Sequence, residues 1–219
     1  MIANKPLLLA SALSLGLMFS ATSEAALQAR IDGMFYDSVL NVTWLDMSVA
    51  NVTWQQSVDW AGSLTHAGFS GWRLPSVTSV NGTGFQYTES VDGSTDWSYN
   101  ITSPRSELAH LYYVTLGNSG AYDSAGNFID GTLSKTGPFR HLQAGLYWTG
   151  TEYAPDAQNF AWSFQTDLGL QTDALKTGTG FAMAVRDGDF APVPVPSAIW
   201  LFGSAIVGLI GFRRKPAAA

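Results

Sequence analysis

The chain has 219 residues, 46% of them hydrophobic, no cysteine, and a formal charge of −6 from 11 Lys and Arg against 17 Asp and Glu. That balance excludes the basic footprint of a nucleic-acid partner. The missing thiol excludes cysteine nucleophiles, thiolate metal sites and disulfide staples, so any exported domain here must stand on its apolar core alone.

Both ends read as targeting segments and are set apart from the fold. Lys5 precedes an uncharged apolar run over residues 7–19, and Ser23-Glu24-Ala25 supplies small residues at the −3 and −1 positions of a cleavage site. Residues 1–25 are therefore expected to be a signal peptide, engaging export machinery and signal peptidase, with the mature chain starting at Ala26. At the other end Pro192, Pro194 and Pro196 make an extended spacer. The uncharged run 197–212 is long enough to span a thin hydrocarbon core, and Arg213, Arg214 and Lys215 follow it as a cytoplasmic stop. Residues 192–219 thus predict a spacer, a short transmembrane helix and a basic tail. The domain between, 26–191, carries 7 basic and 16 acidic residues and seven of the eight tryptophans.

In chain order, residues 33–46 predict two short strands, with Phe35, Val39, Val42 and Trp44 as β-formers and a turn at Asp37-Ser38. Thr53 starts a helix, with Gln56 completing a capping box. Trp54, Val58, Ala61 and Leu64 give that helix an apolar face, and Gly68 is placed as its stop. Residues 76–102 are rich in Ser, Thr, Gly and Asn and read as a long loop. Ser103 with Pro104 predicts a second helix striped by Leu108, Leu111, Tyr112 and Leu116, and 117–137 is a second Gly-rich loop. The last third alternates as strands, with Phe160, Trp162 and Phe164 on one face, and Phe181, Met183 and Val185 on one face of the final strand. The fold class that follows is α+β: two helices packed on a curved antiparallel sheet, with long loops.

Candidate chemistry is sparse. His66, His110 and His141 lack ligand spacing, and no Gly-x-Ser-x-Gly elbow exists. Asp123, Asn127 and Asp130 in a Gly-containing loop are loose candidates for calcium, set against the plainer reading of solvated loop acids. Trp72, Trp148 and Trp162 read as core. Arg73 reads as the partner of a buried carboxylate or of backbone carbonyls. Phe85, Tyr87, Trp97 and Tyr99, beside Asp96 and Asn100, differ, because aromatics with short polar neighbours make glycan and protein contact surfaces. The alternative is a loop folding its own rings down onto the domain.

Three stretches in series, SVDWAGSLTHAGFSGWRLP (57–75), SPRSELAHLY (103–112) and YWTGTEYAPDAQNFAWSFQTDLG through to AVR (147–186), resemble the Lcl C-terminal-like domain, a bacterial exported domain family named for a collagen-like adhesin. The likeness covers most of residues 39–187 and implies a C-type-lectin-like fold, in which first and last strands pair and long loops carry binding. Family members carry a cysteine in the helix and another in the terminal strand, where this chain has Ala61 and Ala184, two residues before Arg186. If those cysteines pair, the two alanines should be neighbours. The tail is similar to PEP-CTERM sorting signals read by an exosortase-type protease, with Pro194-Val195-Pro196 where the motif has Pro-Glu-Pro.

The resulting expectation is an exported, membrane-anchored precursor displayed at the cell surface or in an extracellular matrix. It is read as a non-enzymatic binding module that contacts glycan or protein through its long loops and needs no cofactor. A structural matrix protein without a discrete ligand, and an unrecognised enzyme, are the alternatives.

Overall fold

The computed structural model describes residues 27–190. The signal-peptide and tail assignments, Pro194, Pro196, Arg213, Arg214 and Lys215 among them, lie outside the described residues. Among the described residues no helix is long and apolar enough to cross a membrane.

The architecture is α+β and dominated by one sheet. Its strands are β1 (Leu27–Ala29), β2 (Met34–Asp37), β3 (Val42–Val52), β4 (Glu89–Ser90), β5 (Trp97–Ser98), β6 (Leu146–Glu152), β7 (Phe160–Gln165), β8 (Leu170–Leu175) and β9 (Gly180–Asp187), in the spatial order β1-β2-β3-β9-β6-β7-β8-β5-β4. Asp37 closes the β2–β3 hairpin, its Oδ1 accepting the N–H groups of Val39 and Leu40. The run β6-β7-β8 is an antiparallel meander. The sheet as a whole is mixed rather than antiparallel. β9 crosses back to lie between β3, which it pairs antiparallel, and β6, which it meets in parallel, and β4 and β5 are also parallel.

Period-two alternation sorts the apolar side chains into two cores, one on each face of the sheet. Met183 and Val185 of β9 join Trp44, Tyr147 and Phe164 on one face. Ala182 and Ala184 join Leu45, Trp72, Trp148 and Ala161 on the other. The two helices divide between these faces.

Helix α1 (Trp54–Ser63) covers the second core. Thr53 caps it as a true capping box, its hydroxyl accepting from the Gln56 N–H while the Gln56 side chain accepts from the Thr53 N–H. Its end comes earlier than Gly68. Leu64 is already extended, and Ala67 and Gly68 occupy left-handed conformations in a separate turn beyond it.

Helix α2 (Glu107–His110) covers the first core and widens at once into a π-helical turn, Leu111–Thr115. Its start also differs from the expected cap at Ser103. The Ser103 hydroxyl accepts only from the Arg105 N–H, holding a tight turn around Pro104. The Glu107 N–H instead donates to the Ser76 carbonyl at 3.1 Å, and Ser106 bridges Val77. A tertiary strand-like tether therefore takes the residues that would have made the first helical turn.

Candidate binding surface

Trp162, in the middle of β7, is fully buried, and four rings from three separate segments cover it. Phe85 and Tyr87 lie nearly flat on the indole, with centroids 5.6 and 6.1 Å away and interplanar angles of 28° and 13°. Trp97 and Tyr153 meet it edge-on at 6.3 and 5.3 Å. Tyr153 also stands edge-on to Tyr87 and to Trp97. All four covering residues are half-buried, so the cluster is in part open to solvent. Exposed Gln86, Thr88 and Glu89 border it in the sequence. Burial, with a smaller contribution from Asp173, raises the Tyr153 phenol above its ordinary pKa and keeps it a neutral donor and acceptor. The Trp162 indole N–H has no hydrogen-bond partner among the described residues.

The loop that delivers these rings is held from within. The carboxylate of buried Asp96 accepts from the Val80 N–H and the Gln86 N–H, both at 2.7 Å, and so pins two points of the loop to one side chain. Its carbonyl accepts from the Gln171 side-chain amide at 2.7 Å, tying the loop to β8. Asn100, at a φ of 59°, donates from Nδ2 to the carbonyls of Val91 and Tyr122. Gly93 has φ +74°, and a Cβ there would stand 2.1 Å from the Asn100 carbonyl oxygen, so only glycine fits the approach. Tyr99 is buried and packs on Tyr122 at 5.1 Å.

The six loop residues singled out from the sequence therefore separate. Phe85, Tyr87 and Trp97 come together at the surface, whereas Asp96, Tyr99 and Asn100 form the scaffold beneath and beside it. Tyr153 belongs to the surface and was missed. Its only local signal is that it follows the Trp148-Thr149-Gly150-Thr151 strand, and nothing in the sequence places that hairpin end next to the 76–102 loop.

The WRLP segment is structural in its contacts. Trp72 is buried and donates its indole N–H to the Phe69 carbonyl. Arg73 pairs its backbone with Val185 and forks its guanidinium onto Glu107, with a further contact to Asp187 at 2.5 Å. Those partners, Glu107 above all, raise its pKa still further, so it is a permanent cation. Glu107 also accepts from the Ser76 N–H at 2.6 Å. Trp148 donates to the Val52 carbonyl, and the Arg186 guanidinium sits 4.4 Å from the Phe190 ring centroid. Ala61 and Ala184 are both fully buried in the same core.

Of the calcium candidates, Asp123 and Asn127 meet, the Asn127 side-chain amide donating to the Asp123 carboxylate at 2.9 Å. The Asp123 carboxylate is engaged by the Ala125 and Asn127 N–H groups and the Asn127 side-chain amide, which lower its pKa, and it anchors its own turn. Among the described residues no three His, Cys, Asp or Glu side chains come together as a metal set. The three histidines are dispersed. His66 donates to the Asp32 carbonyl, His110 to the Thr102 carbonyl, and His141 to the Asp46 carbonyl.

Two concavities went unread in the sequence. One, of about 290 Å3, lies between α1 and the 72–76 segment. The other is a groove beside β3 where Asp46 interrupts an apolar strand. Comparison with known family models and with curated proteins finds no match to the chain.

Proposed function

We propose that the chain is an exported, surface-displayed, non-enzymatic module that binds glycan through its aromatic face. The single observation that carries this reading is the set of half-buried rings, Phe85, Tyr87, Trp97 and Tyr153, arranged around Trp162. Aromatic rings offer large contact area to the C–H faces of pyranose rings at low entropic cost, while phenol and amide groups at the edge supply directed hydrogen bonds. Rigid support matters as much as the rings, because a preorganised surface loses little entropy on binding. The Asp96 and Asn100 hydrogen bonds supply that support.

A C-type-lectin-like arrangement belongs to the same reading. It is favoured by the antiparallel pairing of an early strand, β3, with the last described strand, β9. The tail reading completes it: export, a membrane-anchored precursor, and display beyond the inner membrane, with signal peptidase and an exosortase-type protease as processing partners.

The test is a glycan array and titration of the hits with the full chain. Tyr87→Ala and Trp97→Ala should each weaken glycan binding at least about tenfold, on the scale of a lost aromatic contact, with little change in melting temperature. Binding that survives both substitutions, or no glycan bound at all, overturns the reading.

A further inference from the structure

The groove beside β3 has a volume of about 990 Å3 and is independent of the aromatic face. It is lined by the tight turn at Asp32 and Gly33, by Phe35, and by the segment 136–142. Phe139 is buried and meets Phe35 edge-on at 5.3 Å, which gives the groove an apolar lining.

Asp46 holds residues 140 and 141 of that segment in place. Its carboxylate, withdrawn from solvent, accepts from the Arg140 N–H at 2.9 and 3.0 Å and from the His141 N–H at 2.9 Å. The His141 ring donates to the Asp46 carbonyl at 3.0 Å. These bonds satisfy Asp46 and fix the backbone that presents Arg140. Arg140 lines the groove, and its guanidinium has no hydrogen bond or ion pair among the described residues. The Asp32 carboxylate is likewise exposed and without a partner among them. Its backbone is nonetheless fixed, at a φ of 52° with the carbonyl held by His66 at 2.6 Å. Two opposite charges thus line one groove without pairing with each other.

We propose that this groove binds a small zwitterion of dipeptide size. The ligand's α-carboxylate lies on the Arg140 guanidinium, whose planar fork suits a carboxylate. Its α-ammonium lies on Asp32, and an apolar side chain packs on Phe35. A purely anionic ligand would face Asp32, and a purely cationic one would face Arg140. Only a molecule carrying both charges complements both side chains. The volume is at the upper end of small-molecule sites and leaves room for a dipeptide.

The experiment is calorimetric titration of the full chain with leucyl-phenylalanine, its N-acetyl form and its C-terminal amide. The free dipeptide should bind saturably, and each capped form should bind at least about tenfold more weakly, as expected for a lost charge-assisted contact. Arg140→Ala should abolish the difference between free acid and amide. Asp32→Asn should abolish the difference between free and acetylated amine. Arg140→Lys, which keeps the charge without the fork, should fall between wild type and Arg140→Ala. Tyr87→Ala should change none of these, which separates this site from the aromatic face. Absence of saturable binding by the wild-type chain, equal binding of free and capped forms, or capping effects that persist in both variants would each overturn the proposal.

Discussion

The guanidinium of Arg73 grips the carboxylate of Glu107 through two hydrogen bonds of 2.8 Å each, joining the segment after α1 to the first turn of α2. Glu107 is almost wholly buried, while the Arg73 side chain is 34% exposed. Breaking a buried pair costs about 3–5 kcal/mol because one charge is left uncompensated. Solvent reaching Arg73 reduces that here, and Glu107→Ala is expected to destabilise by about 2–4 kcal/mol. Asp187→Ala, at the exposed prong, should cost under about 1 kcal/mol. Denaturant unfolding of the two variants measures the contrast.

Asp96 and the rings above it should behave oppositely. Asp96→Ala removes the one acceptor for two loop N–H groups and leaves both needing new partners. It should destabilise by about 2–3 kcal/mol and release the loop to proteolysis. Trp72→Ala, a large core truncation, should cost about 3–5 kcal/mol. Tyr87→Ala and Trp97→Ala should change the melting temperature far less than either. Thermal melts with limited proteolysis decide this, and equal destabilisation by all four would make the covering rings ordinary core.

Ala61 of α1 and Ala184 of β9 share one fully buried core, in the positions where the resemblance places a pair of cysteines. A disulfide requires Cα atoms about 4.4–6.8 Å apart. Ala61→Cys with Ala184→Cys should oxidise spontaneously in the folded chain and stabilise by ~2–4 kcal/mol. Thiol titration before and after denaturation reads the bond directly. Two free thiols in the oxidised, folded variant would refute the pairing.

Alkali should unfold the domain through its buried phenols. Burial raises Tyr112 and Tyr147 above their ordinary values and pushes Tyr113 up to about 12. In the unfolded chain these groups lose their protons near pH 10. Above that pH the unfolded state holds fewer protons than the native state, so stability is complete below about pH 10 and falls as pH rises towards 12. Tyr113→Phe should make that fall shallower, although it also removes the hydrogen bond to the Gly169 carbonyl. Urea midpoints between about pH 8 and pH 11 test the slope.

Local chemistry was legible in the sequence wherever partners lie within a few residues. The Thr53 and Gln56 box, the Asp37 turn and the alternation of Phe181, Met183 and Val185 all follow from spacing alone. What failed depends on partners far along the chain. The start of α2 moved because Ser76, 31 residues earlier, takes the Glu107 N–H. Asp96 resembles a loop acid until Gln171, 75 positions away, is seen to fasten its carbonyl. The parallel contact of β6 with β9 is likewise invisible to any local pattern. Among the loop residues, Phe85 and Tyr87 were legible as surface candidates, but Tyr99 has the same local composition and is buried by Tyr122.

The position of β9 has a kinetic consequence. It is the last of the described strands to leave the ribosome, yet it sits in the interior of the sheet, flanked by β3 and β6. Until residues 180–187 are available, both neighbours keep an open edge and neither core has its Met183, Val185, Ala182 and Ala184 contributions. Closing the sheet then joins segments more than a hundred residues apart, and such long loop closures are slow. A chain built this way is expected to complete neither core until most of it has been synthesised. For a protein exported as we propose, that delay keeps it threadable through a narrow membrane channel until the whole domain has crossed.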